Sequence, residues 1–275
     1  METSRRKAAE LPHTPKASQS SSVSLLHPDC ISDSIIRFIE ASAGYGMKFR
    51  SLTAMLTILS AGVVLSDVPR PAQDHDMVDI RDLAPAIRLD IRYATENNFT
   101  GKRVTGYDAP KCLLRRPVAS ALAEVERDLR GRGYALLIYD CYRPRVSVAE
   151  FMRWAADTAD QSTKAAYYPD LDKSALVPDY IAEKSGHTLG ATADVGLLDC
   201  RGAACLAVDM GTPFDFFGLQ ANTAHPALTS EQKQGRQILL DAMAAQGFVN
   251  YPMEWWHFTW KAEVLPPAIY DFPIQ

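Results

Sequence analysis

Ser185-Gly186-His187-Thr188-Leu189-Gly190-Ala191-Thr192-Ala193-Asp194, continuing through Val195-Gly196-Leu197-Leu198, reads as a glycine-flanked turn that feeds a strand. On that strand Thr192, Asp194 and Gly196 share one face, and Ala193, Val195 and Leu197 share the other. The pattern therefore presents a carboxylate from a rigid element, beside a position without a side chain that leaves room for an ion. His187 stands in the turn just ahead of it.

A second segment, Glu254-Trp255-Trp256-His257, runs into Phe258-Thr259-Trp260. With His257 on a strand, Glu254 points the opposite way in a regular extended chain, so it is expected on a bend. From a bend it can approach the same ion as His257 without binding it, as a general base must. Two imidazoles and one carboxylate around zinc leave a fourth position for water, the layout of a catalytic rather than a structural site. The chemistry expected is amide hydrolysis, with one Zn2+ per chain held by His187, Asp194 and His257. Either histidine taken alone is more often a packed, hydrogen-bonded side chain than a ligand; the pairing of the two segments argues for the metal.

In a third segment, Tyr139-Asp140-Cys141-Tyr142-Arg143-Pro144, Arg143 offers a planar fork of donors suited to an oxyanion. A structural salt bridge to Asp140 or another carboxylate is the competing reading.

Around these segments, apolar spacing predicts helices over Pro117 to Arg130, Ser147 to Ala159 and Ser230 to Gln246. Strands are predicted over Ile87 to Tyr93, Tyr134 to Tyr139, Thr192 to Leu198 and Trp256 to Trp260. Helices and strands interleave without a regular βαβ rhythm, which implies an α+β fold: a small mixed, partly antiparallel sheet flanked by helices. No GxGxxG, P-loop or GxSxG element occurs.

The chain has 275 residues, 47% of them apolar, enough for a sizeable core. A net charge of -4 gives no basic surplus to meet a phosphate backbone, which argues against nucleic acid. Residues 1–46 are rich in Ser, Lys, Arg and Pro at the start and read as disordered or as an over-extended start. From Met47, Lys48 and Arg50 precede the apolar run Leu52 to Leu65, the layout of a signal peptide over 47–66. At about 14 residues the run is too short for a stable span, which needs roughly 20, although a buried core helix of that length is an alternative. The domain proper is expected over 67–275, in the periplasm or secreted, with a cytoplasmic location as the alternative. Nothing in the pattern specifies an oligomeric state.

None of the five cysteines forms a CxxC pair. Cys200 and Cys205 lie close enough to close a small disulfide ring in an oxidising compartment, or else remain free thiols.

Taken together the segments resemble the D-alanyl-D-alanine dipeptidases of the VanX type, within the zinc D-Ala-D-Ala carboxypeptidase and dipeptidase superfamily. The likeness rests on SxHxxGxAxD and EWWH, on Arg92-Tyr93-Ala94-Thr95, on Tyr142-Arg143-Pro144, on Met210-Gly211-Thr212-x-Phe214-Asp215 and on Asp271-Phe272-Pro273. It implies a Hedgehog/DD-peptidase-like fold with the zinc site at the sheet, Glu254 as proton shuttle and Arg143 as stabiliser of the tetrahedral intermediate. It also places substrate contacts at Tyr93, Ser185 and Asp215, with Asp215 holding the free amine of a small dipeptide. Turnover or salvage of wall peptides is the setting implied. A carboxypeptidase or endopeptidase acting on peptidoglycan, and a non-catalytic zinc-binding module, are the competing functions.

Overall fold

The computed structural model describes residues 76–261, 268 and 270–275. The extension expected at 1–46, the leader expected at 47–66, the core-helix alternative for its apolar run, and Cys30 all lie outside the described residues.

The described residues open with β1 (Met77–Asp79), which pairs antiparallel with β3 (Leu113–Arg115) as a small separate ribbon. The main sheet holds β2 (Arg88–Leu89), β4 (Tyr134–Asp140), β5 (Thr192–Asp199), β8 (His257–Trp260) and β7 (Phe248–Asn250) in that spatial order, with β6 (Leu206–Ala207) beside β5. Only the β2–β4 pair is parallel; the others are antiparallel. This is the mixed, partly antiparallel sheet of an α+β fold.

Two long helices support it. In α1 (Arg116–Gly131), Pro117 occupies the first turn, where its missing N–H costs nothing, and Val118, Leu122, Val125 and Leu129 form the buried stripe. Buried Glu126 also belongs to that stripe; it accepts from Arg130 Nε and from the Leu136 amide, both at 2.7 Å, and so ties helix to sheet. A third helix, α2 (Arg145–Ala156), starts directly after Pro144 and ends three residues before the predicted limit. A single turn follows, α3 (Lys164–Tyr167). The last helix, α4 (Ser230–Ala245), is opened by a capping box between Thr229 and Gln232.

The strand expected over Ile87 to Tyr93 is mostly not one. Only Arg88–Leu89 pairs, and the chain then tightens into a 3₁₀ turn at Arg92–Ala94. Asp90 accepts from Arg92 Nε at 2.7 Å, which holds Arg92 near the surface while Tyr93 turns inward and is fully buried. The vacancy at Gly196 is likewise not open to an ion: a Cβ there would meet the Tyr139 hydroxyl oxygen at 2.7 Å. That space belongs to a tyrosine ring, which itself stacks on Phe214 at 4.6 Å.

Cys200 and Cys205 are bridged. A second disulfide, Cys112–Cys141, spans 29 residues and links the ribbon to the end of β4; the sequence reading did not foresee it. No helix among the described residues is long and apolar enough to cross a membrane.

Candidate metal centre and substrate cavity

Sheet register builds the centre. Asp194 on β5 pairs directly with His257 on β8 and, on its other side, with Asp140 on β4. Residues directly opposite on neighbouring strands share a face, so these three form one row. A register shift between Ile138 and Asp140 is the kind of irregularity that re-aims a side chain at a strand end.

His187 enters from the turn ahead of β5. Ser185 caps that turn, its hydroxyl oxygen accepting from the His187 amide at 3.3 Å. Gly190 ends it with φ +63, a conformation that favours glycine. His187 Nδ1 lies 2.6 Å from the Cys141 carbonyl oxygen. A carbonyl can only accept, so in the neutral ring Nδ1 carries the proton and Nε2 presents a lone pair.

That lone pair faces two other electron-rich atoms, Asp194 Oδ1 at 3.3 Å and His257 Nδ1 at 3.4 Å. His257 Nδ1 lies 3.0 Å from the same Asp194 oxygen. Asp194 Oδ1 is buried and makes no hydrogen bond. One donor atom from each of the three residues lies within 4.8 Å of the others. Lone pairs so close together are costly unless a cation sits between them, so the donor set fits a divalent ion.

Glu254 stands where the bend was expected. Its amide donates to the Tyr251 carbonyl, and its own carbonyl accepts from His257. One carboxylate oxygen lies 3.6 Å from His257 Nδ1, beside the ligand cluster.

Arg143 forms the salt bridge that was its competing reading. Nε and Nη2 donate to Asp140 Oδ2 at 3.0 and 2.8 Å, and Nη2 lies 3.7 Å from Asp194 Oδ2. The guanidinium also lies over the rings of Tyr93 and Phe151, at 5.2 and 5.1 Å. Asp140 takes a further hydrogen bond from the Tyr107 hydroxyl at 2.7 Å. Asp140 was expected only as a salt-bridge partner of Arg143, and Tyr107 was not foreseen at all.

Asp215, buried in the lining of the substrate cavity, has φ +63, a strained value for a residue with a Cβ. The Tyr93 hydroxyl donates to its two oxygens at 3.1 and 3.0 Å. Residues 122 apart thus meet.

The electrostatics follow from this crowding. Burial pushes the Asp215 and Glu254 carboxyls well above their ordinary range, and the Asp194 charge adds to the effect in both. Burial also raises Asp140, against the opposing pull of Arg143 and His187. Asp194 goes the other way: burial alone would raise it, but His187 and His257 hold it well below the usual range. Arg143 stays charged because its acidic neighbours outweigh its desolvation.

Arg143, His187, Asp194, Asp215, Glu254 and His257 border one cavity of about 220 Å³, which also meets Tyr93, Phe151, Tyr180, Ser185 and Phe217. It is smaller than the roughly 300–1,000 Å³ of pockets that take drug-sized ligands.

A His–Asp–His donor set, with His187 and Asp194 buried and His257 half-buried, and with a carboxylate beside it, defines a mononuclear metal site of the hydrolytic type. Residues 73–275 match the family described as D-ala-D-ala dipeptidase, and the chain belongs to that family. Among curated relatives, the D-alanyl-D-alanine dipeptidase of Enterococcus faecium is 34% identical over 195 residues, 70% of this chain and 96% of that one. The protein of the same name from Streptomyces coelicolor is 35% identical over 200 residues, 72% and 98% of the two chains. That from Escherichia coli is 30% identical over 199 residues, 71% and 90%. A solved structure of the vancomycin-resistance D,D-pentapeptidase VanY in complex with Zn(II) aligns at 16% identity with a TM-score of 0.34, over 54% of this chain and 73% of that one.

Proposed function

We propose that this chain is a zinc-dependent dipeptidase that hydrolyses D-Ala-D-Ala or a similar D-configured dipeptide. One observation carries the reading: four buried carboxylates, Asp140, Asp194, Asp215 and Glu254, surround a single guanidinium, Arg143. Uncompensated buried charge is strongly unfavourable. A metal cation at His187, Asp194 and His257 and a substrate ammonium at Asp215 supply the missing positive charge.

Bound there, zinc supplies Lewis acidity, bringing the pKa of water toward about 7 and polarising a carbonyl. The chain does the rest. A Glu254 carboxylate oxygen takes the proton of the attacking water and returns it to the leaving amine. Arg143 meets the developing oxyanion while Asp140 holds its Nε and Nη2 in place. Tyr93 orients Asp215 toward the ammonium, and Ser185 borders the cavity with its hydroxyl proton uncommitted.

The size of the cavity and its acidic end favour a dipeptide over the stem peptide that a peptidoglycan carboxypeptidase or endopeptidase would take, since a longer substrate brings no ammonium to Asp215. A non-catalytic zinc module would have no use for Glu254. The test is alanine release from D-Ala-D-Ala and from its N-acetyl derivative, with and without chelator. Release from the free dipeptide alone, abolished by chelator, is expected; no release by the zinc-loaded protein rejects the reading.

By the same reading the mature protein works outside the cytoplasm, in the periplasm or secreted, in the turnover or salvage of wall peptides. The leader-like pattern after Met47 and the two disulfides support export. N-terminal sequencing of cell-associated and secreted protein checks it: a mature start near residue 67 is expected.

A further inference from the structure

A dipeptide carries two charges, and the features above account for one. Its ammonium has Asp215, but its carboxylate must enter a cavity already lined by Asp179, Asp194, Asp215 and Glu254. Within that lining only Arg143 and Lys184 are permanent cations, and Arg143 is held by Asp140 through two of its nitrogens.

Lys184 is exposed and makes no hydrogen bond or ion pair among the described residues, although Glu183 is its chain neighbour and Asp179 shares the lining. Lys184, Ser185 and Gly186 also border an outer groove of about 1,060 Å³, so they form the wall between the reaction cavity and the surface. Asp215, by contrast, is 4% exposed. The cavity is thus polarised, with a buried acid at one end and an uncommitted ammonium group at its mouth.

We propose that Lys184 reads the free carboxylate of the substrate, making it a specificity-determining residue that selects peptides ending one residue beyond the scissile bond. The assignment rests on the dipeptidase reading and deepens it. Lys184 attracts the carboxylate past the acidic lining, and together with Asp215 it measures the length of the substrate from both ends. A peptide with a blocked or more distant carboxylate gains nothing from it.

The zinc-loaded enzyme is assayed as wild type, Lys184→Met and Lys184→Arg, with D-Ala-D-Ala and with D-alanyl-D-alanine amide. The methionine variant is expected to raise KM for the free acid by about three- to tenfold, in keeping with a partly solvated ion pair, with kcat little changed. The amide should be cleaved equally by wild type and variant, and Lys184→Arg should restore most of the free-acid KM. Unchanged KM for the acid in Lys184→Met, or equal losses on acid and amide, overturns the assignment while leaving the dipeptidase reading intact. If wild type cleaves neither compound, the dipeptidase reading itself fails and the assignment falls with it.

Discussion

The Cys141 carbonyl oxygen accepts the Nδ1 proton of His187 at 2.6 Å, and Cys141 is covalently joined to Cys112 on the opening ribbon. The atom that fixes the tautomer of a metal ligand is thereby anchored by a cross-link to a residue 75 positions before that ligand. Acceptors of this kind orient ligand rings and raise their basicity, and losing them costs roughly 10- to 100-fold in metal affinity.

Replacing both Cys112 and Cys141 by serine should therefore do two things. Unfolding free energy should fall by about 3 kcal/mol, from the lost constraint on the unfolded chain, and zinc should be held roughly tenfold more weakly. Thermal melts and chelator competition measure the two separately. The Cys200→Ser/Cys205→Ser pair, which opens a far shorter loop on a surface turn, should lose less stability and no metal affinity. Unchanged zinc affinity in the first variant would mean that strand pairing alone keeps the carbonyl in place.

Removing the proton carrier should separate binding from chemistry. Glu254→Ala is expected to retain zinc and lose about 10²- to 10⁴-fold in kcat, while His187→Ala loses the metal itself. Metal content after dialysis, read beside single-substrate kinetics, distinguishes them. Near wild-type turnover in Glu254→Ala would remove it from the mechanism.

Asp140→Asn keeps the shape of the side chain but withdraws the charge that clamps Arg143. Turnover should fall by roughly 10- to 100-fold through misplacement of the guanidinium, with zinc retained. Steady-state kinetics together with metal analysis checks this; an unchanged kcat would reduce the Asp140–Arg143 bridge to scaffolding.

Asp215→Asn should weaken kcat/KM for free dipeptides by about 100-fold, the scale of removing one partner of a buried charge pair. Any residual activity on an N-acetyl dipeptide should not change. Equal losses on both substrates would show a general disturbance of the cavity instead.

Alkaline stability should reflect Tyr139 and Tyr142, whose phenols burial pushes up to about 12. The unfolded chain releases these protons near pH 10 and the folded chain only near 12. Between those values the folded state binds more protons, so stability present below pH 10 declines as pH rises. Tyr139→Phe should flatten that decline in urea melts taken between pH 9 and 12; an unaltered slope would place the titration elsewhere.

Much of the centre was legible because it rests on local patterns. The glycines around His187 mark its turn, the alternation from Thr192 to Leu198 marks β5, and the spacing from Glu254 to His257 demands a bend. The strand pairing behind the convergence was not legible, because β5 pairs with both β4 and β8 through contacts between segments roughly 60 residues apart with no local signature. Tyr93 illustrates the limit: its segment has the composition of a strand, yet Asp90 and the buried Asp215 draw it into a turn. Cys112 and Cys141 escaped notice for the same reason, each being a lone cysteine whose partner is visible only in three dimensions. The start of α2 moved by two residues, to the position Pro144 fixes, while α4 starts at Ser230 as expected, behind the capping box at Thr229.

The row formed by Asp140, Asp194 and His257 ties the reactive centre to the act of folding. Side chains alternate along a strand, so a slip of one residue between β5 and β8 would bring Phe258 in place of His257 opposite Asp194. A misaligned chain would then be inert rather than mis-specific, and capture of the ion would favour the correctly aligned sheet over its nearest competitor. The ligand set acts as a proofreader of assembly as well as an instrument of hydrolysis.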